Sequence, residues 1–523
     1  MGMPLMYKKP TRRQRWYLLA GAVAVVLAIV FAAVLSIPIK SDTLKERVIA
    51  LLSDQLESEV TIDTLEGRVF PRVSVSGGGV VIRQKGRTDI PPLISIKHFE
   101  IHGSLRDLLR HPRRVAEVRL EGLEVKIPPG DGDDDGKDKS DAEQRAQAQK
   151  LEQVIIDRFE APDTVITLIP RKAGKQPKVF TVHHLAMERL GINQTIPYIA
   201  TLTNPIPKGE IETSGTFGPW DVVHPARTRL TGSYVFEKAN LDTINGLGGI
   251  LSSKGSFGGP LNHIEVQGTT QTPDFQIDVG GASVPLTTRF TALVDGSDGD
   301  TYLHRVEGKI LNSELTATGA VIGFEGVPGR QVEIDFTMPN GRIEDLLKLA
   351  MNSDKPLLNG AIHMKAKLVI PAEKKKVIDK LKLQGDFGLT QAKFTDAEVQ
   401  TKLMGLSRRG QGLDKDEPAA DVLSNLSGRM VVDNATVSFS RLTFSVPGAQ
   451  VDLAGNYGMR SETIDFKGHL KLQATLSKVA GGGVKGFFLK AFDPFFKKPG
   501  AGMVLPIKIA GTRKAPKFGL DMF

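Results

Sequence analysis

The sequence has no cysteine in 523 residues, which excludes disulfides and thiolate metal sites. Aromatic residues are scarce, at 6%. No Gly-x-Ser-x-Gly, Walker A or His-Glu-x-x-His motif occurs. The expectation is a protein that is not an enzyme, with no catalytic residue, metal or cofactor. Three partial motifs do not change this. Asp131, Asp133, Asp135 and Gly136 begin like a calcium loop, but its twelfth position is Ala142, and Pro128 and Pro129 preclude an entering helix. Gly481, Gly483 and Gly486 match G-x-G-x-x-G without its βαβ context, and read better as a hinge. His183 and His184 are neighbours, and neighbours on a strand face opposite ways. The net charge of +9 owes something to a basic N-terminal tail; the basic residues elsewhere are scattered with no nucleic-acid signature, so nucleic acid is not an expected partner.

One long apolar run is present. Residues 16–39 carry no charge, enough to cross a ~30 Å hydrocarbon core as a helix. Lys8, Lys9, Arg12, Arg13 and Arg15 precede it without an acid, which keeps residues 1–15 cytoplasmic and sends the bulk outside. The other reading is a cleaved signal peptide. Its apolar region would be shorter, and no good Ala-x-Ala site follows, so an uncleaved anchor is preferred.

An amphipathic helix is expected next, with Leu44, Val48, Leu51, Leu52 and Leu56 on one face and Thr43 and Glu46 as a capping box. Strands follow at Val73/Val75, Val80/Ile82, Ile94/Ile96 and Leu123/Val125/Ile127, within a strand-rich region 40–127. Residues 128–150 read as an acidic polar linker, residues 151–475 as a repetitive β body and residues 476–523 as a C-terminal end. Short helices are expected from Asn340 to Met351 and from Thr395 to Leu406. The fold class is mainly β: one N-terminal transmembrane helix, then an elongated, curved antiparallel sheet with a few short helices.

A small pattern recurs in the body: apolar, any, Gly, any, apolar. Leu383-Gln384-Gly385-Asp386-Phe387 and Leu453-Ala454-Gly455-Asn456-Tyr457 are two examples. Alternation puts each glycine on the apolar face, where it leaves a gap. Two architectures remain open, a β-sandwich with ordinary bulges and a curved sheet with an apolar trough. For the trough, Phe336, Phe387, Phe439, Phe444, Leu453 and Phe466 are the candidate lining residues. Gly385 and Gly455 would share their side, with Gln384, Asp386 and Asp452 opposite.

The densest aromatic stretch is GFFLKAFDPFF, residues 486–496. At helical spacing, Phe487, Phe488, Phe492 and Phe495 share one face, and Lys485, Lys490, Lys497 and Lys498 surround it. At roughly 1.5–3 kcal/mol for each buried phenylalanine, that face is costly to leave in water. Two covers are open: the protein's own sheet, or a lipid surface whose phosphates meet the lysines.

The last part of the chain resembles the C-terminal region of AsmA-like proteins. FTDAEVQTKLMGLSRRGQG (394–412), NLSGRMVVDNATVSFSRLTFSVPGAQVDLAGNY (425–457) and DPFFKKPGAGMVLPIKIAGTRKAPKFGLD (493–521) carry the resemblance. VFPRVSVSGGGVVIR (69–83) and PPLISIKHFEI (91–101) extend it to the N-terminal plan. The resemblance implies an inner-membrane protein with its bulk in the periplasm, related to chorein-type lipid-bridge proteins. It implies phospholipid as ligand, transfer between inner and outer membrane, and a role in outer-membrane integrity. A non-transporting scaffold for outer-membrane protein assembly is the alternative, and it implies the outer membrane or outer-membrane assembly proteins as partners.

Overall fold

The structure is a computed structural model. It describes residues 41–521 except 57, 69–72, 85–91, 109–111, 128–153, 169–177, 192, 222–224, 245, 278–280, 297–298, 325–326, 328, 352–354, 374, 412, 414–421, 474–502 and 514. The anchor 16–39, the linker 128–150, the partial calcium loop, the glycine hinge and all eight Phe and Lys candidates of residues 485–498 therefore lie outside the described residues. Among the described residues no helix is long and apolar enough to cross a membrane. These residues form a mainly β protein of 26 strands, mostly antiparallel, with few short helices. They divide into two compact units: Met1–Asn240 with Ser252–Gly268 and Leu293–Gly299, and Leu241–Leu251 with Thr269–Ala292 and Asp300–Phe523.

The first unit opens with α1 (Ser41–Leu56), β1 (Ser58–Thr61), β2 (Thr64–Arg68), β3 (Val73–Gln84), β4 (Ile94–Gly103), α2 (Leu105–Leu108) and β5 (Arg113–Ile127). It continues with β6 (Val154–Glu160), β7 (Thr164–Leu168), β8 (Lys178–Leu190), β9 (Ile196–Pro205), β10 (Lys208–Phe217) and β11 (Arg229–Asn240). The expected alternation produces a closed core. Ile94, Ile96, Phe99, Ile101, Val115, Val118 and Leu120 are all buried, and α1 lays Val48 and Leu52 on them. Those two residues belong to the apolar stripe that the sequence spacing predicts. The side chains of Thr43, Leu44, Leu51 and Leu56 lie outside the described residues. The sheet is not purely antiparallel, because β5 pairs in parallel with β6 and β7. The opposite face of β4–β6 carries a charged ladder: His98 meets Glu100 at 3.2 Å, and Arg119 meets Glu160 at 2.9 Å.

The chain then forms β12 (Leu247–Gly248), β13 (Ile250–Pro260), β14 (Ile264–Ile277) and β15 (Val284–Val294). The rest of the second unit is β16 (Thr301–Ile310), β17 (Ser313–Gly323), β18 (Arg330–Arg342), α3 (Ile343–Ala350), β19 (Leu358–Ile370), α4 (Val377–Lys380), β20 (Lys382–Phe394) and α5 (Ala397–Gln411). After these come β21 (Ser424–Asp433), β22 (Thr436–Val446), β23 (Ala449–Gly458), β24 (Thr463–Leu472), β25 (Met503–Thr512) and β26 (Ala515–Leu520). From β16 to β26 each strand pairs antiparallel with the next. Consequently all connections alternate between two ends. α3 and α5 stand at one, the helix end. α4 and the β21–β22, β23–β24 and β25–β26 turns stand at the other, the turn end.

Two predicted helices occur with shifted bounds. The first begins at Ile343, because Asn340–Arg342 still extend β18 and Gly341 and Arg342 pair with β19. The second begins at Ala397 and runs on to Gln411. Its N-terminus is set by Asp396, whose Oδ1 accepts the Val399 amide hydrogen bond at 2.9 Å.

Candidate functional site

Cross-strand register places the six lining candidates on one face of the second unit. One crosswise row runs Phe336, Ala366, Gly385, Met430, Phe439, Gly455, Phe466 and Ile509 on β18–β25. The next runs Met338, Met364, Phe387, Gly428, Leu442, Leu453, Gly468 and Ile507. Phe444 belongs to a third, with Leu426, Val451, Leu470 and Leu505. Ring contacts confirm the shared side: Phe387 and Phe439 lie 6.3 Å apart, Phe439 and Phe466 5.8 Å, and Phe394 and Phe444 6.4 Å. Gly385 and Gly455 are on this side, and Gln384, Asp386 and Asp452 are on the other, as the alternation requires.

The glycines do not leave empty gaps throughout. A Cβ at Gly428 would lie 3.2 Å from the Phe387 ring, and one at Gly455 would lie 2.9 Å from that of Phe466. Phenylalanines on neighbouring strands therefore lean over them, a cross-strand arrangement that shields bare backbone. At Gly385 the neighbour across the strand is Ala366 rather than an aromatic ring, and a Cβ there would lie 2.5 Å from the Ala366 Cβ.

Among the described residues, α3 and α5 cover the face at the helix end. Leu346 and Leu347 of α3 pack on Met338, Ile362 and Leu389. Met404 and Leu406 of α5 pack on Val446, Ala449 and Leu472. Polar bonds hold both helices. Asp345 is buried and accepts from the Asn312 amide at 3.0 Å and the Ser313 hydroxyl at 2.8 Å. Gln400 donates to the Val422 carbonyl at 2.9 Å. Phe336, Phe387, Phe439 and Leu453 stay half-buried, in contrast to the closed core of the first unit.

The opposite face is ion-paired. Arg429 meets Asp386 at 2.9 Å, Lys367 meets Glu333 at 3.3 Å and Lys471 meets Asp452 at 2.8 Å. The Lys471 hydrogen bond, helped by Gln450 and Thr443, holds Asp452 below the ordinary carboxylate range against the upward push of burial. A depression of about 550 Å³ lies among Arg305, Asp335, Lys365, Lys367 and Asp386 on the β16–β20 part of the sheet. No group of three metal-ligating side chains occurs among the described residues.

The alternation of β18 already put Met338 beside Phe336, but other members of the apolar face were missed. Met364, Leu442 and Ile507 complete the rows; the alternating VLPIKI (504–509) was a usable signal. His183 and His184 do not face opposite ways, contrary to the expectation for strand neighbours. β8 has an irregularity between Val182 and His184, and His184 pairs with Thr201 while His183 Nε2 lies 2.7 Å from Thr203 Oγ1. Thr201 and Thr203 share a side of β9, so the extra residue brings both histidines to it.

Comparison with family models, with curated proteins and with solved structures finds no match for this chain.

Proposed function

We propose that this chain is an AsmA-like protein of the inner membrane that binds phospholipid on the apolar face of its second unit and moves it between inner and outer membrane, supporting outer-membrane integrity. On this reading residues 16–39 are the anchor, the N-terminus is cytoplasmic and the bulk is periplasmic. The strands act as rungs of an elongated, curved sheet whose apolar side carries acyl chains.

One observation supports the reading most directly. Eight consecutive strands, β18–β25, present large apolar side chains in register on one side, and Phe336, Phe387, Phe439, Phe444 and Leu453 among them stay half-buried while charged pairs occupy the other. Apolar surface of this extent marks a binding surface in a water-facing protein. Acyl chains suit it, because phenylalanine, methionine and leucine offer contact without a hydrogen-bonding demand.

Mass spectrometry of the full-length chain purified in mild detergent tests the proposal. Phospholipid retained by the parent should fall several-fold in a Phe387→Asp/Phe439→Asp variant. Equal retention by both would contradict it.

A further inference from the structure

The apolar face differs at its two ends. At the helix end α3 and α5 cover it. At the turn end its last row includes Val437, Tyr457 and Ile464, and beyond that row the connections are basic. The α4 connection carries Lys375, Lys376, Lys380 and Lys382, the β23–β24 turn Arg460, and the β25–β26 turn Arg513. These connections form one rim. Arg460 reaches Asp379 of α4 at 2.6 Å, and Arg513 reaches Glu462 of the β23–β24 turn at 2.7 Å. Arg513 is also within electrostatic reach of Tyr457, so the rim adjoins the apolar face. With Asp433 of the intervening turn counted, six cations meet four carboxylates among the described residues. Lys376 and Lys382 are exposed and have no carboxylate at ion-pair distance among them.

Resting on the lipid-binding reading, we infer that the ligand is a glycerophospholipid with an anionic headgroup, lying lengthwise along the strands with its headgroup at this basic rim and its acyl chains pointing towards α3 and α5. The dimensions agree. From Tyr457 to Val451 β23 advances six residues, about 20 Å at ~3.4 Å each. One leaflet of a bilayer supplies about 15 Å of hydrocarbon, half of a ~30 Å core. A chain laid the other way would bring its phosphate beneath the covering helices, against Met404, Leu406 and Leu472. Lysine and arginine at the rim supply charge-assisted bonds to phosphate oxygens.

Photoactivatable phosphatidylglycerol tests this on the full-length chain in mild detergent, with the reactive group on the headgroup in one probe and at the acyl terminus in the other. The headgroup probe should label residues 375–382 and 459–463, and the tail probe residues 439–446 and 403–411. The Lys375→Gln/Lys376→Gln/Lys382→Gln variant changes exposed side chains only. It should cut rim labelling by the headgroup probe several-fold and leave tail labelling by a phosphatidylcholine probe unchanged. Reversed labelling, headgroup labelling at both ends alike, or an unaffected triple variant would each overturn the inference. Absence of tail labelling anywhere on the face would instead overturn the lipid-binding reading beneath it.

Discussion

Phe439 and Phe444 point to the same side of β22 although five positions separate them. Regular alternation would put them on opposite faces. Phe439 pairs with Met430 and Gly455, Leu442 pairs with Gly428 and Leu453, and Arg441 takes the place opposite Arg429. Ser440 is left without a partner on either side, so a bulge restores the alternation beyond it.

Deleting Ser440 should therefore be tolerated. The shortened strand reads Phe, Arg, Leu, Thr, Phe, with every apolar residue still on the apolar side. The expected change is within about 1 kcal/mol, in the range of mild substitutions. Deleting Thr443 should turn Phe444 and Val446 to the charged face, at about 3 kcal/mol or more given ~1.5–3 for each large apolar side chain. Thermal unfolding of the two variants measures the difference. Equal loss in both would contradict the bulge assignment.

Two glycines should respond in opposite directions to alanine. A Cβ at Gly405 in α5 meets nothing within 4 Å, so Gly405→Ala should gain about 0.5–1 kcal/mol from helix propensity. A Cβ at Gly428 would stand 2.8 Å from the Arg441 carbonyl oxygen and 3.2 Å from Phe387, so Gly428→Ala should lose about 1–3 kcal/mol. Denaturant midpoints of the pair check the sign.

Asp345 ties α3 to the β16–β17 turn. Removing its carboxylate in Asp345→Ala leaves the Asn312 amide and the Ser313 hydroxyl without that acceptor. A loss of about 2–4 kcal/mol follows from a buried, charge-assisted pair of bonds. Hydrogen exchange should accelerate first at Asn312 and along α3. Exchange that stays slow there would show that apolar packing alone holds the helix.

Asp452 gives a pH prediction. Its carboxyl is held below the ordinary value of 3.8, chiefly by the hydrogen bond from Lys471. A depressed folded pKa adds stability that is complete above the ordinary value and is lost as pH falls through the lower folded one. Lys471→Met should therefore move the Asp452 titration up, read by carbon NMR of the carboxyl. The variant's stability deficit should shrink below the ordinary value. The pair is partly exposed, so the deficit should be small. An unmoved titration would contradict the assigned cause.

Much of this arrangement was legible in the residues. Val332, Ile334, Phe336 and Met338 alternate without interruption, so the face of β18 followed from period two. The bulges were not legible, because an extra residue such as Ser440 or His183 has no side-chain signature. Both were decided by the neighbouring strands. The basic rim was missed for a related reason: EKKKVIDKLK (373–382) reads as an ordinary solvated turn until Arg460 is seen on Asp379, 81 residues away.

The most direct measurement of the central claim compares neighbours on one strand. A photoreactive amino acid at Phe387 or Leu453 of the full-length chain should capture phospholipid, and one at Asp386 or Asp452 should not. Equal capture at all four positions, or at none, would contradict an ordered lipid on the apolar face.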